Sequence, residues 1–190
     1  MKTVIRLPLI AMAAIAALQP LAAKSEPTEP PAATPASPLE ALKWMDGQWR
    51  GKAWVLTRAG RLDLTQTERS GTMLDGAVRV VEGGGYDAQG KRLFNALGVI
   101  AVRGDGTIEM HSWAQGQAGV FPIEVRPDGF SWSIPAGPAT IRYEAIYRDG
   151  RWVEHGQRLV PGQPPLDILH MELERIGESA WPAAGAVPAR

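Results

Sequence analysis

At Asp46-Gly47-Gln48-Trp49-Arg50-Gly51 the chain changes its periodicity. Before it, apolar residues recur at helical spacing; after it, they alternate. Ser37-Pro38-Leu39-Glu40 has the pattern of a capping box with proline at the first helical position. Leu39, Leu42 and Met45 then fall on one helix face. Gly47 stands where a helix stops. From there Trp49, Gly51, Ala53 and Val55 alternate with Gln48, Arg50, Lys52 and Trp54, the two-residue period of a strand. The short helix has an apolar face that needs a surface, and the end of a β-barrel offers one.

Strand patterns continue through Leu62 to Ser70, Ala77 to Glu82, Leu93 to Val102, Ile108 to Trp113 and Val120 to Val125. Phe130 to Ile134, Thr140 to Arg148, Arg151 to Leu159 and Leu166 to Arg175 complete the set. Leu93 to Val102 is nearly continuous apolar sequence, which predicts a strand covered on both faces. The separators carry turn chemistry: Arg58-Ala59-Gly60, Leu74-Asp75-Gly76, Ala88-Gln89-Gly90, Gly104-Asp105-Gly106, Pro127-Asp128-Gly129 and Asp149-Gly150. Asp149-Gly150 is the cleanest two-residue hairpin signal. Short turns imply a meander, and the lack of long helical segments argues against βαβ units. The expected fold is all-β, an antiparallel meander barrel of about 8–10 strands with a short N-terminal helix. A β-sandwich is the alternative. No internal repeat supports a propeller.

Residues 1–23 read as a signal peptide. Lys2 and Arg6 form its basic region, Leu7 to Ala17 its apolar region, and Leu21-Ala22-Ala23 its cleavage site. The apolar run is broken by Gln19-Pro20 and is short for a bilayer span. A periplasmic or secreted location follows, with no membrane attachment after cleavage. Removing this segment takes away two bases and no acid, leaving 167 residues with a formal charge of −2. Mixed charges near neutrality argue against nucleic acid or an anionic membrane as partner. The chain has no cysteine, so neither a lipoprotein anchor nor a disulfide framework is expected. Residues 24–37 are a Pro/Ala-rich linker without large apolar side chains. Residues 38–177 form one domain, and 178–190 a flexible tail whose Trp181 could dock onto the body.

From about Leu42 to Ile176 the chain resembles a bacterial lipocalin-like family known only as a domain of unknown function (number fifteen-seventy-nine). The resemblance rests on Gly47-Gln48-Trp49-Arg50-Gly51, Phe94-Asn95-Ala96-Leu97-Gly98-Val99-Ile100 and Phe130-Ser131-Trp132-Ser133-Ile134-Pro135. Ile141-Arg142-Tyr143, Trp152-Val153-Glu154 and Met171-Glu172-Leu173-Glu174-Arg175 follow in order. It implies a calycin-type barrel and no particular activity. A fainter resemblance links the chain to nitrobindin-type haem barrels, through Gly47-Gln48-Trp49-Arg50-Gly51 and Gly162-Gln163-Pro164. Their iron-ligating histidine aligns with Ile168, which leaves His170, two residues on, as the candidate haem ligand. Leu169, Met171 and Leu173 make the better core face, however, and would turn His170 outward with Glu172 and Glu174.

No other motif points to a cofactor. His111, His155 and His170 are far apart, without the close spacing of metal ligands. There is no Gly-x-Ser-x-Gly for a serine nucleophile. Glu68, Glu82, Glu144 and Glu154 lie in strands; a buried pair would suit acid–base work, but strand carboxylates are expected to face solvent or pair with arginine. Gly83-Gly84-Gly85 lacks the helix, lysine and hydroxyl of a phosphate loop and reads as a flexible hairpin end. The 7 tryptophans, against 3 tyrosines and 3 phenylalanines, suit either core packing or stacking on a flat ligand. Strand parity places Trp152, Glu154 and Arg158 on one face and His155 on the other, and Tyr143 opposite Arg142. The candidate binding residues are Trp49, Phe130, Trp132, Tyr143, Trp152, Glu154 and Arg158. The expected function is non-catalytic binding of a small apolar molecule. The alternatives are a solid-core structural or interaction barrel, and a haem-binding or enzymatic barrel.

Overall fold

Ser37 caps a 3₁₀ helix spanning Pro38–Met45 in the computed structural model, which describes residues 37–179. The segments read from sequence as signal peptide and linker, up to residue 36, and as a tail, from residue 180, lie outside the described residues. The tighter helix has a sequence reason. Leu39, Leu42 and Met45 are spaced by threes, the period at which a 3₁₀ helix stacks its side chains. Ser37 Oγ accepts from the Leu39 amide at 3.3 Å, and the Ser37 carbonyl accepts from the Glu40 amide at 2.8 Å. The helix ends at Asp46, and Gly47 follows with a φ of +126°. A side chain at Gly47 would also meet the Gly177 carbonyl oxygen at 2.7 Å.

Ten strands follow: β1 (Gly47–Thr57), β2 (Gly60–Met73), β3 (Val78–Tyr86), β4 (Arg92–Val102), β5 (Ile108–Ala114), β6 (Gln117–Arg126), β7 (Gly129–Ala136), β8 (Ala139–Arg148), β9 (Arg151–Leu159) and β10 (Leu166–Gly177). Each pairs antiparallel with the next, and β1 pairs with both β2 and β10, so the meander closes into one barrel. Closure leaves no edge strand among the described residues and sets aside the sandwich. At Asp149 and Gly150, φ is +53° and +77°, the paired left-handed geometry of a type I′ hairpin. Gly150→Ala should therefore lower stability by about 1 kcal/mol, read as the shift in a urea unfolding midpoint. Gln115 and Gly116 form an equivalent turn that the sequence reading passed over.

Two segments differ from the expectation of their sequence. The strand around Leu97 is not covered on both faces: Leu97 is 39% exposed and pairs across from Trp113, itself 47% exposed. The apolar outer residues of β4 instead form an external patch with β5. Gly83-Gly84-Gly85 is not a hairpin end but buried backbone within β3. Its missing side chains make room for neighbours: a Cβ would stand 2.7 Å from Glu68 Oε1 at Gly83, 3.1 Å from the Tyr86 hydroxyl at Gly84, and 3.1 Å from Gln66 Oε1 at Gly85.

The helix shuts one end of the barrel. Leu39, Leu42 and Met45 are buried in one apolar cluster with Trp49, Ile100, Phe130, Ala145, Trp152 and Leu173. Each of the three helix side chains contributes roughly 1.5–3 kcal/mol of transfer free energy. Polar groups lock the same end. The Trp49 indole N–H donates to the Met45 carbonyl at 2.8 Å. The Arg175 guanidinium lies 5.0 Å above the Trp49 ring and donates to the Trp44 carbonyl at 2.9 Å. Arg79, almost fully buried, pairs with Asp46 and donates to Ser70 Oγ at 3.2 Å.

Candidate functional site: the barrel interior

Above this plug the barrel is hollow. The reason lies in the inward positions, many of which are small: Ala53, Gly83, Ala96, Gly98, Ser112 and Ala114. They border a cavity of about 540 Å³. Leu56 and Leu62, at the β1–β2 hairpin, line it and are partly exposed, marking the open mouth. The solid-core alternative would need large side chains at those positions.

One wall of the cavity is aromatic. Phe130 and Trp132 stack at 5.5 Å with planes 17° apart, and Trp132 and Tyr143 stack at 4.8 Å with planes 16° apart. Strand pairing produces the run, since Trp132 faces Tyr143 across β7 and β8. Gly156 on β9 gives Tyr143 its place, for a Cβ there would meet the ring at 2.8 Å. Trp152 closes the wall toward the plug, edge-on to Trp44 at 5.3 Å and to Trp49 at 5.9 Å.

Two carboxyl groups, Glu68 from β2 and Glu154 from β9, face this apolar space. Glu68 accepts from Gln66 Nε2 at 2.7 Å. Burial pushes the Glu68 carboxyl up to about 7; the Gln66 hydrogen bond opposes this and the Glu82 charge adds to it. Burial likewise pushes Glu154 up to about 8, and the charge of Glu68 adds to the effect. The Trp152 indole lies close enough to lower Glu154 somewhat, although its N–H meets no acceptor in hydrogen-bond geometry. Both glutamates keep some accessible surface, and both line the cavity, so the enclosing wall is what desolvates them. Tyr143 is raised too, by burial and then by Glu154.

The residues picked from sequence divide into three groups. Phe130, Trp132, Tyr143, Trp152 and Glu154 line the cavity together. Trp49 does not; it is 1% exposed and belongs to the plug. Arg158 shares the inward parity of Glu154 but sits exposed near the end of β9. The strand carboxylates also split. Glu82 pairs with Arg69 at 2.6 Å and Glu144 with Arg126 at 2.7 Å, as expected, whereas Glu68 and Glu154 turn inward against that expectation. Glu68 was missed as a site residue. The signal was the parity of Leu62, Leu64, Gln66 and Glu68, together with Gly83, which pairs opposite Glu68.

A haem group does not fit this interior through the candidate histidine. His170 faces away from the cavity beside His155, with Nδ1 and Nε2 3.1 Å apart and the rings at 4.5 Å. Ile168, which aligns with the iron-ligating position of haem barrels, lines the cavity instead. No histidine is among the described cavity residues. A larger groove of about 700 Å³ runs along the outside past Arg50, Leu97, Trp113 and Ile176. It is more open to solvent, and its Arg69 and Glu82 already pair with each other, so the enclosed cavity is the better candidate site.

No protein-family profile and no curated protein matches the sequence. Among solved structures, the chain is similar to the crystal structure of Rv2717c from M. tuberculosis, with a TM-score of 0.55 and 17% identical residues. The similarity covers 73% of this chain and 96% of that one. At that identity it bears on the fold alone: a closed, lipocalin-like all-β barrel.

Proposed function

We propose that this chain is an exported, lipocalin-like barrel that holds a small, mostly apolar molecule without transforming it. The cavity carries the reading: about 540 Å³ of space walled by the stacked Phe130, Trp132 and Tyr143. At interior packing density that space suits a ligand of roughly twenty non-hydrogen atoms. Stacked rings offer a flat apolar surface at low entropic cost. Export is supported by the basic and apolar pattern of residues 1–23, and the lipocalin-like family by the ordered segments from Gly47 to Arg175.

Titration with Nile red, a neutral apolar fluorophore, tests the reading. Saturable binding at micromolar concentration is expected, with a blue-shifted emission. Ala53→Phe, which places a ring in the cavity, should abolish that binding while leaving the melting temperature within a few degrees. Equal binding by the parent and the filled variant would place the dye outside the barrel and defeat the proposal.

A further inference from the structure

We propose that the molecule held in the barrel is an organic cation, a lipophilic amine whose ammonium group is met by Glu68 and Glu154 while its body lies along Phe130, Trp132 and Tyr143. This deepens the ligand-binding reading above and rests on it. Glu68 and Glu154 are the charged groups among the described lining residues, which include no lysine, arginine or histidine. Any charge that the wall acquires by ionisation is therefore negative.

The polar groups of the cavity are also poorly partnered. Among the described residues Glu154 makes no ion pair and has the Trp152 indole as its neighbouring donor, and Glu68 has Gln66 as its hydrogen-bond partner. The Trp152 indole N–H is buried beside Glu154 without an acceptor, in a side chain only 2% exposed. A hydrocarbon ligand would leave these groups as they are, at the cost of a desolvated polar site. An ammonium group would supply the counter-charge and donors that the two carboxyls lack, and an ionised Glu154 would offer the neighbouring Trp152 N–H an acceptor. Gly83 leaves the room that the Glu68 side chain occupies, for a Cβ there would come within 2.7 Å of its Oε1.

Binding should then be linked to proton release. Burial holds protons on the carboxyls of the empty cavity near neutrality, and a bound cation favours the ionised form of one of them. Few other groups intrude on this titration. Glu68 is flanked by Trp49 on β1 and Gly83 on β3, with Glu82 adding repulsion and Arg79 held by Asp46 at the plug. Glu154 is flanked by Met171 on β10 and Ala145 on β8, with Tyr143 as its ionisable neighbour.

The test compares three probes on the purified full chain between about pH 5 and pH 8: 3-(2-naphthyl)propylamine, its trimethylammonium analogue and the corresponding alcohol. Both cations are expected to bind at least about ten-fold more tightly than the alcohol at the alkaline end. Their affinity should fall by up to about ten-fold per pH unit toward acid, as one proton must leave for each cation bound. The charge of the trimethylammonium probe does not titrate, so its pH dependence belongs to the protein. In the double variant Glu68→Gln with Glu154→Gln, amine and alcohol should bind within about two-fold of each other, with alcohol binding retained. Equal, pH-independent binding of amine and alcohol by the parent protein would overturn the cation inference and leave the apolar pocket standing. Binding of neither probe would overturn both. The parent comparison needs no variant and so stands even if the double variant misfolds.

Discussion

Glu154→Gln is expected to raise the melting temperature at about pH 9 by roughly 8 °C and to leave it nearly unchanged at about pH 4.5. The Glu154 carboxyl is raised from 4.5 to about 8 in the folded barrel, chiefly by burial. Between those values the unfolded chain has released a proton that the folded chain still holds. Stability therefore falls as pH rises through that window and levels off above the folded value. The loss is on the order of 3 kcal/mol, allowing for screening by water in the open cavity. Glutamine has the shape of the protonated acid and never ionises, so it removes the slope without removing the side chain. Glu68, raised to about 7 by burial, adds a second slope of the same sign and ends at lower pH. Thermal melts followed by circular dichroism across the range provide the check. A parent melting temperature that stays flat from pH 5 to pH 9 would mean that the two carboxyls are solvated, and the account of the site would fail with it.

What could be read without coordinates followed from period and punctuation. Each strand was visible because its inner face is buried and its outer face is wet, which writes a two-residue rhythm into the sequence. Closure was legible because a meander of this length otherwise leaves edges exposed. The orientation of His170 was open in the sequence: alignment made it a haem-ligand candidate, while Leu169, Met171 and Leu173 competed for the interior, and in the fold it lies beside His155 away from the cavity. The pair Glu68 and Glu154 was harder. A carboxylate on the inward parity of a strand looks like a pattern error until its surroundings are known. The sequence signal for Glu68 lay on another strand, in Gly83, whose meaning appears only once the register pairs them. The same applies to the hollow core. Gly98, Ser112 and Ala114 are unremarkable singly, and only their convergence on one space shows that the barrel is not filled.

Trp49→Ala should be among the most damaging single changes in the chain, costing roughly 4 kcal/mol. Against a typical total of about 5–15 kcal/mol, that is a large share. The side chain is almost fully buried and stands where three parts of the base meet. Its N–H holds the last carbonyl of the Met45 turn, its ring lies under Arg175, and its edge packs against Trp152. Truncation would open a cavity under the helix, release the helix terminus and expose Trp44 and Leu42 to solvent together. Trp49→Phe separates the contributions, because it keeps most of the volume and loses the hydrogen bond; about 1 kcal/mol is expected from that loss. Denaturant unfolding of the two variants measures both steps. Dye binding then distinguishes closure from recognition. Trp49 does not border the cavity, so Trp49→Phe should bind Nile red as the parent does, whereas Trp132→Ala, in the middle of the aromatic wall, should weaken it about ten-fold at a smaller cost in stability. If Trp49→Phe lost the dye while staying folded, the Gly47-Gln48-Trp49 corner would be part of the binding surface rather than the lock beneath it.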